Sequence, residues 1–314
     1  MDIQSFWAWA GFLLAAYSVV GNDSVQTLGT FIASNEKRFR WQVLWLSASL
    51  VLISALVWSW VIYGGDISFG RLNQIPHQPV MWYHACAPLV LLALTRLGIP
   101  VSTSFLVLST FASTVILEKM LIKSMMGYGV SAFISYLLWV VLSRFLDEKK
   151  DPVQAHHVSF WRVLQWLSTG FLWFTWLSHD LANISVYLPR QLTVTELMIV
   201  LSTLVLLLGY IFWDHGGKIQ GIVINKTGTR FVRSATIIDL VYAAILLYFK
   251  EYSDIPMSTT WVFVGILTGR ELAICTVNEK YKVGNVFPII GRDFFKMMLG
   301  LIISVTFVLT LNSV

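Results

Sequence analysis

Long apolar runs bounded by charged residues constrain this chain more than any other feature. The clearest run covers 41–63, a stretch without an acidic or basic side chain. A helix of about 20 such residues crosses the hydrocarbon core of a bilayer. Charged residues make up 12% of the 314 residues and hydrophobic residues 56%, whereas roughly a quarter of an average soluble protein is charged. The composition excludes a cytosolic globular protein, a disordered chain and a nucleic-acid-binding protein. It predicts an all-α polytopic protein in a lipid bilayer.

The apolar runs divide the chain into ten candidate membrane segments, two of which are interrupted by polar residues. They cover 6–33, 41–63, 80–97, 100–117, 125–146, 161–190, 192–213, 234–249, 256–275 and 293–313. Several are short for a full span, and short or broken segments in membrane proteins indicate re-entrant or discontinuous helices.

The basic residues predict an orientation. If the ten segments alternate in direction, most of the 22 Lys and Arg residues fall on one side of the membrane, and cytoplasmic loops carry such an excess. We therefore expect both termini to be extracytoplasmic and the charged linker 147–160 to be cytoplasmic. The same bias accounts for the net charge of +5 without a nucleic-acid partner.

A polar motif built around an aspartate occurs twice. The first copy is Gly21-Asn22-Asp23-Ser24-Val25-Gln26, and the second is Ser178-His179-Asp180-Leu181-Ala182-Asn183. Each copy interrupts an apolar run and places a carboxamide three residues after the aspartate.

A second motif, a proline followed by hydroxyl residues, also occurs twice, as Pro100-Val101-Ser102-Thr103-Ser104 and as Pro256-Met257-Ser258-Thr259-Thr260. The proline lies 77 residues after the aspartate in the first copy and 76 in the second. Two unlike motifs at nearly one separation indicate a tandem repeat, with copies at 1–146 and 161–314. Because each copy holds five segments, the second enters from the opposite side, which is the inverted repeat of many secondary transporters.

The repeated aspartates predict a cation site. A carboxylate at membrane depth is costly unless it has a partner or water. Unwound backbone, Asp23, Asp180, Gln26 and Asn183 would together supply oxygens for a hard cation such as Na⁺, and a protonatable aspartate would instead carry H⁺. The alternative is that each aspartate caps a helix at the membrane edge.

The proline motifs predict an anion site. Proline favours the first turn of a helix, where free backbone N–H groups and the helix dipole attract an anion. Hydroxyl groups add donors from Ser102, Thr103, Ser104, Ser258, Thr259 and Thr260. Two capped re-entrant helices with nothing bound are the alternative. An anion site beside a cation site has a use, since an inside-negative membrane opposes anion entry by about 2.3 kcal/mol per charge per 100 mV.

At these motifs the chain resembles the inorganic phosphate transporter (Pit) family, solute carrier family 20. The resemblance implies cation-coupled import, mostly of phosphate with Na⁺ or H⁺, and one branch of the family resembles sulfate permeases. Carried over by position, it implies that Asn22, Asp23, Gln26, Asp180, Asn183 and the six hydroxyl residues form the site. The chain departs from the family pattern at Gln26, Phe105, His179 and Trp261. Its compactness is typical of a multi-pass microbial inner-membrane protein.

Other functions stay open at this stage. Sulfate or another small anion such as bicarbonate is the alternative substrate, and an intramembrane enzyme using His179 and Asp180 is a remote one. A sensor or assembly factor would need a soluble appendage, and we expect neither catalysis nor a cofactor beyond the coupling ion. A homodimer is compatible with the sequence. Asp239 is a further intramembrane carboxylate without an assigned role, and Gly127 and Gly129 suggest a close helix contact.

Overall fold

The computed structural model describes residues 3–96, 101–143, 155–216, 232–277 and 287–311. Within these ranges all regular structure is helical. The α-helices in the described ranges are α1 (Ile3–Ser18), α2 (Ser24–Asn35), α3 (Trp41–Ile62), α4 (Trp82–Arg96), α5 (Thr103–Leu106), α6 (Thr114–Ser143), α7 (Ala155–Asp180), α8 (Ala182–Ser185), α9 (Val194–Trp213), α10 (Val232–Tyr252), α11 (Thr259–Val277) and α12 (Phe287–Leu311).

Six stretches in the described part of the chain are long and apolar enough to cross a bilayer. They are Ile3–Gly21, Trp41–Ile62, Thr114–Leu142, Val194–Trp213, Thr259–Val277 and Ile290–Thr310. On α3, large apolar side chains such as Leu46, Leu50 and Val61 are 60–67% exposed, as expected where a helix faces lipid. The predicted all-α polytopic fold is therefore confirmed.

Both aspartate motifs interrupt a helix, but not in the predicted way. In the first copy, Val19–Asp23 forms a π-helical turn that joins α1 to α2 without unwinding, and the Ser24 N–H bonds the Val19 carbonyl. A π turn widens the helix by one residue, and such turns are frequent at functional sites. In the second copy, α7 ends at Asp180 and a one-residue break at Leu181 leads into α8. The expected cage of unwound carbonyls is thus absent from the π-helical turn.

The predicted segments 100–117 and 125–146 are wrong. The proline motif of the first copy leads only into α5 and a 3₁₀ turn at Leu108–Thr110, and α6 then runs unbroken from 114 to 143. The charged residues that marked a boundary there lie within α6, where Lys119 is exposed and Lys123 is buried. The second copy differs because α11, which begins within its motif at Thr259, runs for 19 residues.

α7 extends into the predicted linker 147–160. α7 begins at Ala155, so residues 155–160 are helical, while 147–154 lie outside the described residues. Pro100 and the stretch 217–231 lie outside them as well. Pro256 does not lie in the first turn of α11, because it precedes Ser258, the residue that caps that helix, by two positions.

The antiparallel pair of α3 and α9 places two chain reversals at opposite ends of the molecule. At one end, Glu36, which follows α2, lies 3.9 Å from His215, which follows α9. At the other end, the Leu192 N–H donates to the Gly65 carbonyl at 2.9 Å. The segment that contains Asp23 and the segment that contains Asp180 therefore end on opposite sides of this helix pair.

Two glycines bring α6 and α11 into close contact. A Cβ atom at Gly265 would collide with the Tyr128 carbonyl oxygen, and one at Gly269 with the Ala132 carbonyl oxygen. Small residues four apart allow two membrane helices to pack backbone to backbone. This packing fixes α11, and with it the second proline motif, against α6.

Candidate functional site

Asp23 contacts the proline motif of its own half. Its side chain is 1% exposed and accepts a short hydrogen bond from the Thr103 hydroxyl. Although Asp23 precedes α2, it makes no side-chain capping bond to that helix. The capping alternative is therefore not what the structure shows for this aspartate.

Asp180 has the corresponding environment in the second half. It is 2% exposed, and its Oδ1 accepts from Asn183 Nδ2 at 2.8 Å. The Thr259 hydroxyl lies beside the same carboxylate. Thr103 and Thr259 each lie three residues after the proline of their motif, so the same residue of each motif faces the aspartate of its half.

The serines of the two motifs also have matching roles. Ser102 Oγ accepts the Phe105 N–H at 3.3 Å, and Ser258 Oγ accepts the Trp261 N–H at 3.2 Å. Each serine therefore caps the helix that begins at the next residue. A capping serine leaves the remaining N–H groups of the first turn available to a ligand.

The two motifs meet in the interior of the protein. The Phe105 and Trp261 ring centroids are 5.6 Å apart, and Ser104 Oγ donates to the Met257 carbonyl at 3.2 Å. Asp23 and Asp180 are within electrostatic range of each other. The structure thus brings together the paired aspartates and the paired hydroxyl motifs that the sequence places far apart.

Several buried oxygens around the aspartates lack a hydrogen-bond partner. Among the described residues, these include Gln26 Oε1, Asp180 Oδ2 and Asn183 Oδ1. A buried polar atom without a partner is costly, and oxygens of these types are ligands for a hard cation. No cluster of three or more His, Cys, Asp or Glu side chains suited to a metal occurs in the described ranges.

The remaining predicted site residues are placed as follows. Thr260 is buried at the start of α11, next to Thr259. Asn22 lies in the π-helical turn, and its side chain is outside the described part. His179 and Asp180 make no hydrogen bond to each other in the described structure: His179 Nε2 lies 2.8 Å from the Leu246 carbonyl.

Asp239 belongs to a separate buried network. Its two carboxylate oxygens accept from Thr30 at 2.9 Å and from Thr169 at 2.5 Å. One helical turn later, the Tyr242 hydroxyl donates to the Thr259 carbonyl at 3.0 Å. Asp239 thus connects α2, α7 and α10 beside the aspartate site.

Two basic residues beside the second motif were missed by the sequence analysis. Arg71 is 1% exposed and its Nε donates to the Ser178 carbonyl at 2.7 Å. Lys123 is 5% exposed and its Nζ donates to the carbonyls of Ser253 and Ile255 at 2.6 and 2.8 Å. In the sequence, Arg71 lies in a loop and Lys123 at an apparent segment boundary, so both were counted only as markers of orientation.

Comparisons with known proteins identify a structure with a similar fold but assign the chain to no family. The chain matches no protein-family profile and no curated protein by sequence. Its structure is similar to a solved structure described as "The sodium-dependent phosphate transporter", with a TM-score of 0.64 and 14% sequence identity over 98% of this chain and 96% of that one. The protein therefore has the fold of a phosphate transporter over essentially its whole length.

Proposed function

We propose that this protein is a secondary active transporter that imports an inorganic oxyanion, phosphate above others, together with Na⁺ or H⁺. The observation that carries this proposal is the convergence of two matched pairs, Asp23 with Thr103 and Asp180 with Thr259. Pairs of this kind, one from each half of the chain, are suited to a single site that both halves enclose. The fold shared with a solved phosphate transporter supports the same conclusion.

The proposed anion site lies at the ends of the two proline motifs. Hydroxyls of Thr103, Ser104, Thr259 and Thr260 and free N–H groups at the start of α11 are donors without fixed charge. Carboxylate acceptors beside these donors favour phosphate over sulfate, because hydrogen phosphate has a hydroxyl group to donate whereas sulfate has none at neutral pH.

The proposed cation site uses Asp23, Asp180, Gln26 and Asn183, together with Asn22 by the resemblance of its motif. The buried oxygens without partners are the specific support for this assignment. A coupling cation would fill their free lone pairs and offset the charge of the carboxylates. It would also offset the charge of the anion, which an inside-negative membrane otherwise repels.

Uptake into proteoliposomes tests the proposal. Purified protein is reconstituted, and uptake of radiolabelled phosphate is measured under an inward Na⁺ gradient, an inward proton gradient, or neither. We expect saturable uptake that follows one of the two gradients. Arsenate, sulfate and bicarbonate are added as competitors, and the strongest competitor identifies the substrate class. Absence of uptake of all these anions under both gradients would contradict the proposal.

A further inference from the structure

Arg71 and Lys123 are buried cations that bind the same two backbone carbonyls. Lys123 Nζ donates to Ser253 O and Ile255 O, and Arg71 Nη1 contacts the same oxygens at 3.5 and 3.4 Å. These carbonyls lie in the loop that ends at Ser258, the cap of α11. Neither cation belongs to an ion pair within 4 Å among the described residues, although burial of an unpaired charge is costly.

The two cations also connect this loop to the break after α7. Arg71 Nε binds the carbonyl of Ser178, and its Nη2 lies 3.5 Å from His179 Nε2. On the side of α6, the Ser258 N–H donates to Ser124 Oγ at 2.9 Å, next to Lys123 in the chain. Arg71 and Lys123 therefore hold both chain segments that form the second half of the site.

The positive charges of Arg71 and Lys123 affect the binding of an anion beside Thr259. Asp180 lies within electrostatic range of Arg71 and by itself would repel an oxyanion bound beside Thr259. Arg71 and Lys123 place two basic groups on this side of the Asp180 carboxylate, and the nearby Asp254 is exposed and solvated.

The helices that begin at the two motifs differ in length, and this difference also favours anion binding at α11. α11 contains 19 residues, whereas α5 contains four and passes into a 3₁₀ turn. A helix dipole develops over several turns, so the start of α11 attracts an anion more strongly than the start of α5.

On the basis of the proposed function, we infer that Arg71 and Lys123 make the Ser258–Thr260 end of α11 the principal oxyanion subsite. They act as basic groups beside that subsite and as positioning residues for the loop before it. The ligand class is a multiply charged tetrahedral oxyanion. The two halves of the site, although similar in sequence, then differ in their share of anion binding.

Substitutions at Lys123 separate charge from hydrogen bonding. Lys123→Gln keeps an N–H₂ group that can donate to the loop carbonyls but removes the charge, whereas Lys123→Arg keeps both. Lys119→Gln is the control, since Lys119 lies one turn earlier on the exposed face of α6. Phosphate affinity is measured on purified protein at saturating Na⁺, and Na⁺ affinity without anion.

We expect Lys123→Gln to weaken phosphate binding at least about tenfold, because it removes the Coulomb attraction between a positive charge and a multiply charged anion in a partly desolvated site, where the effective dielectric constant is about 20. Its Na⁺ affinity should stay within about twofold, and Lys123→Arg and Lys119→Gln should bind phosphate like the wild type. Unchanged phosphate affinity in Lys123→Gln, or an equal loss in Lys123→Arg, would overturn the charge assignment.

The matched threonines provide a second measurement that does not depend on the stability of a Lys123 variant. Thr103→Val and Thr259→Val each remove one hydroxyl at the equivalent position of the two motifs. We expect Thr259→Val to weaken phosphate binding several-fold more than Thr103→Val. Equal losses would overturn the inference. Wild-type protein that binds neither phosphate nor sulfate with Na⁺ or at any pH would instead refute the proposed function itself.

Discussion

A buried carboxylate without a coupling cation needs hydrogen-bond donors, and here a threonine hydroxyl stands beside each of the two aspartates. Thr103 donates to Asp23, and Thr259 lies beside Asp180. A hydroxyl group can rotate to donate to a carboxylate or to accept from another donor. The same side chain can therefore serve an aspartate while the site is empty and an anion once a cation neutralises that aspartate.

At the residue scale we expect Asp23→Asn and Asp180→Asn each to abolish gradient-driven anion uptake. An amide retains the size of the carboxylate and can bond the threonine, so the protein should still fold, but it cannot carry the charge that binds the cation. Uptake in proteoliposomes and the thermal unfolding midpoint are measured for each variant. Asp214→Asn, at an exposed position, is the control. Wild-type uptake in both site variants would remove Asp23 and Asp180 from the cation site.

At the element scale, the contact between α6 and α11 depends on two glycines. Gly265 and Gly269 lie four residues apart on α11 and face backbone atoms of α6. Of the two glycines expected from the sequence to mark a close contact, Gly127 packs near Met257 and Val262, whereas Gly129 faces open space. The helix face, not the glycine itself, decides whether a small side chain is needed.

We expect Gly269→Ala to lower the free energy of unfolding by about 1–3 kcal/mol, because the added methyl group has to push α6 away from α11. Gly129→Ala, on the partner helix α6, is the matched control. It should be neutral or raise stability by about 0.5–1 kcal/mol, since alanine is the better helix former. Unfolding in SDS, followed by circular dichroism, measures both. A Gly269→Ala protein as stable as Gly129→Ala would contradict the close packing.

The sequence predicts the features that depend on residues close together in the chain, and it does not predict those that depend on distant ones. Helix type and the recurrence of Asp23 and Asp180 are local patterns, and the structure brings those residues together with the hydroxyl motifs. The partners of Arg71 and Lys123 lie more than 100 residues away in the chain, and no periodicity indicates such a pairing. Lys123 also concealed the continuity of α6, because a charge in an apolar run normally indicates the end of a span.

At the scale of the whole molecule, the Asp23 segment and the Asp180 segment end at opposite ends of α3. Glu36, after the Asp23 segment, lies beside His215, while Leu192, after the Asp180 segment, bonds Gly65 at the other end of α3. The inverted repeat that the sequence predicts would open its shared site to one side and then to the other by rocking one half against the other. The direction of each half relative to the cytoplasm remains a prediction from the basic residues.

Cysteine labelling tests that orientation. Cys86 and Cys275 are first replaced by alanine, and single cysteines are introduced as Lys37→Cys and Gln191→Cys, two exposed positions that follow the aspartate segment of each half. A membrane-impermeant maleimide should label Gln191→Cys in intact cells and Lys37→Cys only after permeabilisation. The reverse pattern would invert the predicted topology, and labelling of both from outside would refute the inverted repeat.

Phe105 and Trp261 bring the two hydroxyl motifs together through a contact between their aromatic rings. Aromatic carbon gives a hydrated ion no ligand in place of water, and narrow apolar constrictions stop conduction by excluding water. If the protein transports ions as proposed, we expect a variant that loosens this ring contact to leak salt more readily than the wild type.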